Sequence, residues 1–231
     1  MGWAMGYGYV TASRVWHGAL AAVIIAALTT QIVLLVLGGA DANSGRVDPQ
    51  SSVASRLVRA FSFFTVDSNV LVAVACVGLV LGPGREGRMW RVLRLTSLLA
   101  ILITGLVFVT VLASKVHLSG AALWCTIAFH YVAPPATFLG WLVFGPRGQT
   151  DWRTLAWSFA WPLAWIGYTL VHGAVTDWYP YPFIDIGAIG YPVALRNIAV
   201  VLAIGAVLAL ALRWIDRHLP ARRVVTAEAG A

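Results

Sequence analysis

Charge is what this chain has least of. Only 11% of its 231 residues are charged, against about 25% in a soluble domain. That shortage excludes an ordinary soluble fold. Lysine is nearly absent, with Lys115 alone beside 15 arginines, and acidic residues number nine. The net charge of +7 does not point to nucleic acid. The arginines cluster between apolar runs and at the C-terminus, where anionic lipid headgroups are their natural partner. Cysteine is scarce too. Cys76 and Cys125 both fall within apolar runs, which excludes a disulfide framework and reads as two small buried hydrophobes. No Cys/His spacing resembles a zinc site, so no metal or organic cofactor is implied. There is no repeat array and no low-complexity linker.

What fills the chain instead is apolar. Hydrophobic residues make up 60%, and the mean hydropathy is +0.81. Six runs are long enough to cross a hydrocarbon core, which takes about 17–25 helical residues: 14–37, 60–81, 92–113, 120–144, 153–175 and 188–213. The connections are short and rich in turn residues, as in Gly82-Pro83-Gly84 and Gly145-Pro146-Arg147-Gly148. The first run is followed by Ala40-Asp41-Ala42, which resembles a signal-peptidase site, but it is longer than a typical signal segment and reads as an uncleaved helix. The expected fold class is therefore all-α: a polytopic membrane protein of six transmembrane helices. It forms a single domain over 1–219, followed by a flexible cytoplasmic tail over 220–231.

Basic residues set the orientation. Arg14, Arg85, Arg88, Arg91, Arg94, Arg147, Arg153, Arg213, Arg217, Arg222 and Arg223 fall on one side, making 11, and Arg46, Arg56, Arg59 and Lys115 on the other, making 4. Both termini are then cytoplasmic, and the 38–59, 114–119 and 176–187 connections face outward. The dominance of Arg over Lys, with abundant Ala, Val and Gly, suits a GC-rich bacterial genome and hence a bacterial plasma membrane.

Several spans contain residues that a bilayer rejects, and such residues mark functional sites by default. Counting about 1.5 Å of rise per residue, Thr65 lies roughly 8 Å inside the outer face, and Ser68 and Asn69 roughly 13 Å. His130 lies roughly 15 Å in, and Arg196 and Asn197 roughly 12–14 Å. The polar set is mostly an outer-half cluster. Thr65, Ser68 and Asn69 share a helix face at i, i+3 and i+4, while Asp67 points elsewhere.

Each position has a bland reading beside the functional one. Ser62, Thr65 or Asp67 serves equally as a cap for the second span. Pro134 and Pro135 free the carbonyls of His130 and Tyr131, so the helix is expected to kink there. His130 then faces a wet pocket or simply bonds a neighbouring helix. Arg196 needs an anionic partner, either Asp67, Asp177 or Asp185, or a substrate carboxylate. His172 lies about a turn from its span's end, as an interfacial residue or a second site histidine. Trp157, Trp161 and Trp165 form an i, i+4, i+8 stripe that suits packing or lipid contact better than a ligand cage. Tyr179-Pro180-Tyr181-Pro182-Phe183 reads as a stiff aromatic loop over the outer mouth.

A threonine hydroxyl becomes a nucleophile when a general base takes its proton, and histidine is the usual base near neutral pH. Thr65 and His130 make such a pair if their helices are neighbours, with Asn69, Ser68 or Arg196 left to stabilise an oxyanion.

Three segments carry a resemblance. They are Phe63-Phe64-Thr65-Val66-Asp67, His130-Tyr131-Val132-Ala133-Pro134, and Val171-His172 followed by Trp178-Tyr179-Pro180-Tyr181-Pro182-Phe183-Ile184-Asp185. In this order they resemble the androgen-induced-gene/FAR-type six-pass membrane proteins, and most nearly their bacterial Pr-six-Pr branch, over about 14–213. Animal members are threonine hydrolases that cleave fatty acid esters of hydroxy fatty acids. The resemblance implies Thr65 as nucleophile and His130 as its catalytic partner. Asn69, Ser68, Arg196, Asn197 and His172 are then expected to bind substrate, with Asp67 and Asp185 in support. This chain departs from the pattern in Ser68-Asn69 and in a single His172 where some relatives have paired histidines. The implied partners are membrane lipids and a hydrophobic ester or fatty acid. The alternative is a small transporter or a lipid- or carboxylate-binding protein with an Asp67, His130 and Arg196 relay, which the lack of visible inverted repeats disfavours. A third reading makes the polar groups fix helix packing alone.

Overall fold

The computed structural model describes residues 2–219, with side chains from residue 8 onward; the expected tail over 220–231 lies outside these. Every regular element among the described residues is helical: α1 (Gly2–Val36), α2 (Val53–Phe61), α3 (Phe64–Leu81), α4 (Arg88–Val107), α5 (Gly120–Ile127), α6 (Ala133–Phe144), α7 (Trp152–Ser158), α8 (Ala160–Thr176) and α9 (Ile186–His218). A π turn over Phe108–Leu112 extends α4, and another over Ala128–Val132 joins α5 to α6 as one rod. Among the described residues, five helical stretches are long and apolar enough to cross a membrane: Gly8–Val36, Phe64–Leu81, Arg88–Lys115, Gly120–Phe144 and Ile186–His218.

Two expected spans begin or run differently. The run over 60–81 starts after a break, because α2 ends at Phe61 and α3 begins at Phe64. α2 is instead a short amphipathic helix bearing Arg56 and Arg59, capped where the Ser52 side chain accepts from the Ser55 N–H. The run over 153–175 is divided into α7 and α8 at Phe159. Pro162 explains the division, since it lacks the N–H that would bond the Ser158 carbonyl. Ser158 turns its own hydroxyl back onto Leu155 O at 2.7 Å.

α3 and α4 form the centre. α1 packs on α3, α3 on α4, and α4 in turn against α6, α7 and α9. Lipid tails are as apolar as leucine, so helix association in a bilayer depends on close packing rather than on hydrophobic burial. Gly105 supplies one close approach: a Cβ there would lie 2.8 Å from both Cβ and Cγ of Pro134. Large apolar side chains such as Val171, Val175, Val200 and Val207 face outward, as lipid contact requires.

The loop after α1 is tied down by buried polar groups. The Asp41 carboxylate accepts from the N–H groups of Asn43 and Ser44, each at 2.9 Å, and Gln31 Oε1 accepts from Ala42 N–H at 2.9 Å. The Thr126 hydroxyl donates to Ala42 O, which fixes this loop against α5.

Candidate functional site

Thr65 sits in the first turn of α3, whose leading N–H groups have no intrahelical acceptor. The residue before the helix, Phe63, offers no capping side chain. Ser62 does not cap α3 either, because its hydroxyl donates to Val58 O at 2.8 Å and closes α2. Asp67 and Val66 use their backbone N–H groups on Phe63 O, and no side-chain cap exists at this helix start. The capping explanation for Ser62, Thr65 and Asp67 therefore fails. The Thr65 N–H instead donates to the Tyr181 hydroxyl at 3.2 Å.

His130 occupies the π turn of the α5–α6 rod. The expected kink at Pro134-Pro135 takes this form: the Ala133 N–H donates to Ala128 O, one residue further back than in an α-helix. The imidazole is 2% exposed. Its Nδ1 lies 3.1 Å from Thr126 O. A carbonyl only accepts, so Nδ1 carries the hydrogen, and in the neutral ring Nε2 is the acceptor. Nε2 lies 3.3 Å from Thr65 Oγ1. Phe108 stacks on the ring at 3.7 Å between centroids and 20° between planes. Phe108 itself belongs to the π turn that extends α4, so two irregular turns face each other and hold the imidazole between helices.

The donor directions follow in sequence. The Thr65 hydrogen goes to the unprotonated Nε2 of His130, so across the 3.2 Å to Thr65 Oγ1 the Tyr181 hydroxyl is the donor, while its oxygen accepts from the Thr65 N–H. Thr65 in turn donates to His130, and His130 to Thr126 O. Tyr181 is held by Phe183, stacked at 5.3 Å, and by the edge contact of Phe63 at 5.4 Å. Trp165 of α8 donates to Ser62 O at 3.1 Å, and Tyr168 meets the Ser62 hydroxyl at 2.7 Å, which clamps the α2–α3 corner.

The remaining candidates divide. Ser68 donates to Phe64 O at 2.6 Å, and Asn69 Nδ2 donates to Thr65 O at 2.9 Å. Both are buried and outside the cavity lining, the Ser68 hydroxyl and one Asn69 amide hydrogen being engaged by the backbone. Asn69 Oδ1 is buried without a partner among the described residues. Asn197 Nδ2 donates to Phe183 O at 2.8 Å, which fixes the aromatic loop rather than reaching Thr65. Arg196 is exposed, and Asn197 Oδ1 at 3.4 Å is its side-chain partner. The expected pairing of Arg196 with Asp67, Asp177 or Asp185 is thus corrected. The chain breaks at Gly190 (φ 74°, ψ 160°), which sets the rotation of the helix beyond. Neighbours on a helix point about 100° apart, so with Asn197 turned inward Arg196 turns out. His172 contacts Tyr168, Trp178 and Thr176 at the C-terminal end of α8. Asp185 caps α9 by accepting from the Ala188 N–H at 3.2 Å. Asp67 is half-buried, and its charge acts on Tyr181 without a hydrogen bond to Thr65 or His130.

A cavity of about 70 Å³ opens beside Thr65. Ile103 and Val107 of α4, Trp165 and Ile166 of α8, and Val201 and Gly205 of α9 form much of its wall. Its polar side chains are Thr65, Thr104 and Tyr181. α8 and α9 flank it with little direct packing between them. The tryptophan stripe is divided accordingly: Trp165 lines the cavity while Trp157 and Trp161 are exposed.

Three contributors had no role in the sequence reading. Tyr181 was legible only as part of an aromatic loop. The Phe108 stack and the Thr126 carbonyl have no sequence signal of their own. A second polar cluster, near the C-terminal end of α9, was also missed. There Asp216 is buried and accepts from the Thr150 N–H at 2.8 Å, while Arg213 donates to Thr150 O. Asp216 and Arg147 are the charged neighbours of Arg94. No known protein family, curated protein or solved structure matches the chain.

Proposed function

We propose that this chain is a six-pass membrane hydrolase of fatty acid esters, of the kind its resemblance to the FAR-type family implies. Both termini lie in the cytoplasm of a bacterium, with α7 and α8 together making the fifth span. The observation that carries the reading is the Thr65 hydroxyl, 3.3 Å from an imidazole nitrogen whose opposite nitrogen is anchored to a carbonyl, at the end of an apolar cavity. An orienting acceptor behind the base is what nucleophile activation needs. Water-excluding walls suit an acyl chain, and the thin seam between α8 and α9 admits it sideways from lipid.

The chemistry uses the ester, one water and these side chains. The Thr65 oxygen forms a bond to the carbonyl carbon while its proton passes to His130 Nε2 and the carbonyl π pair moves onto oxygen. Collapse breaks the bond to the alcohol, which leaves with the proton from His130. Water then gives a proton to His130 and attacks the acyl-threonine. Collapse releases the fatty acid, and the proton returns to Thr65.

Labelling with a fluorophosphonate probe tests this, comparing wild type with Thr65→Ala and His130→Ala. Loss of labelling in both variants is expected. Equal labelling of all three proteins would sink the reading.

A further inference from the structure

The hydrolysis above needs donors for the oxyanion, and Ser68, Asn69 and Arg196, the candidates read from the sequence, do not line the cavity. Ser68 and Asn69 donate to Phe64 O and Thr65 O. Thr104 donates to Ser68 Oγ at 3.2 Å. Arg196 is exposed. Two donors do meet beside the nucleophile: the Thr65 N–H, which donates to the Tyr181 oxygen, and the Tyr181 O–H, 3.2 Å from Thr65 Oγ1. The N–H belongs to the first turn of an 18-residue helix, where unpaired amides and the helix dipole favour negative charge. Tyr181 is 6% exposed and lines the cavity beside Thr65.

We propose that Tyr181 is a catalytic residue that, together with the Thr65 N–H, forms the oxyanion site for the ester carbonyl. At rest the phenol oxygen fills that site itself, accepting from the N–H at 3.2 Å. The arriving carbonyl oxygen displaces it, and the phenol hydrogen swings from Thr65 Oγ1 to the same oxygen. As Thr65 bonds to carbon, the π pair settles on an oxygen facing two donors; when the tetrahedral species collapses, the pair returns to carbon and both donors relax. The exchange has a second effect. Tyr181 no longer donates to the Thr65 oxygen, so the nucleophile's lone pairs are freed only when a carbonyl is in place. Burial raises the phenol above the ordinary tyrosine range, so the group stays a donor at neutral pH. Phe183 stacked on its ring, and Asn197 bonded to Phe183 O, give the loop its fixed pivot.

The assignment rests on the proposed hydrolysis, and its test separates the two. Detergent-solubilised full chain is assayed with a p-nitrophenyl fatty ester and the matching thionoester, for wild type, Thr65→Ala and Tyr181→Phe. Removal of one oxyanion donor lowers kcat by about 10²–10³-fold in a known case. Tyr181→Phe is expected to lose about 10²-fold in kcat with KM little changed, and to discriminate less between oxygen and sulfur at the carbonyl. Incorporation of 3-fluorotyrosine at position 181 keeps the ring's shape and should retain kcat while moving the alkaline limb of the pH–rate profile downward. A wild type that is inert toward esters overturns both readings. An active wild type, silenced by Thr65→Ala but with Tyr181→Phe at full kcat or with unchanged oxygen–sulfur discrimination, overturns the Tyr181 assignment alone. An unshifted alkaline limb in the fluorotyrosine protein also overturns it.

Discussion

Replacing Gly105 by alanine should strike both stability and the site. The new Cβ would lie 2.8 Å from two ring carbons of Pro134 and 3.5 Å from His130 O. Carbon atoms rest at about 3.5–4.0 Å, so α4 and the α5–α6 rod must part by about 0.7 Å or more. The proline ring cannot turn aside as a flexible side chain would. Overpacking of this kind costs about 1–3 kcal/mol. At about 2–4 °C per kcal/mol for a chain of this size, Tm should fall by about 2–12 °C in scanning fluorimetry of the detergent-solubilised protein. The same parting pulls Phe108 from the imidazole it stacks on, and the Thr65–His130 distance of 3.3 Å has no slack at hydrogen-bond range. A misplacement near 1 Å can cost about 10²-fold in rate, so fluorophosphonate labelling should slow by up to that factor. Gly167→Ala is the control. Gly167 lies inside α8 with nothing within 4 Å of its would-be Cβ, and the change should stabilise by about 0.4–1 kcal/mol. If Gly105→Ala melts no lower than Gly167→Ala, the packing argument is refuted.

Other expectations follow from the same contacts. Asn197→Ala removes the bond to Phe183 O and should cost about 0.5–1.5 kcal/mol; proteolysis at 177–185 should become faster, and unchanged protection would count against Asn197 as the loop's anchor. Burial raises the Asp41 carboxyl above its ordinary value, against the bonds from Ser44 and Asn43 that lower it. The folded protein therefore binds that proton more tightly than the unfolded chain does. The associated stability is full below the unfolded value of about 3.9 and is lost as pH rises through the folded value. The difference in Tm between wild type and Asp41→Asn should shrink across that window, and a constant difference would contradict it. Cys76 and Cys125 are 3% and 0% exposed, so maleimide should label neither until the protein is unfolded. For topology, cysteines at Ser44 and Thr176 should react with an impermeant reagent from outside intact cells, and one at Glu86 should not; the reverse pattern would invert the orientation.

The helical architecture was legible because a bilayer dictates both length and composition, and α4 and the α5–α6 rod fall close to their expected limits. Breaks inside apolar runs were not. At Ser62-Phe63 both flanks favour helix, and the division follows from how α8 clamps that corner through Trp165 and Tyr168. At Phe159 the signal was present in Pro162 and passed unread. Depth along a span was easier to read than direction around it. Thr65 and His130 come together across 65 residues of sequence, and composition carries no record of that contact. Arg196 was read as an interior charge because its direction depends on the backbone at Gly190. Tyr181 touches Thr65 across 116 residues from a loop that was legible only as a cover.

The two π turns have a consequence for how the chain tolerates deletion. Each holds one residue more than an α-helical turn would. Removing one residue, such as Val132, would let the α5–α6 rod become regular, and everything after the excision would rotate by about 100°. Phe144 would leave the rings of Tyr9 and Trp16, and Gly140 would no longer lie beneath Trp16. A regular rod thus satisfies either the imidazole above or the helix contacts below, but not both. The extra residue works as a differential between two gears: it lets one half of the rod present His130 to Thr65 in one register while the other half packs on α1 in another.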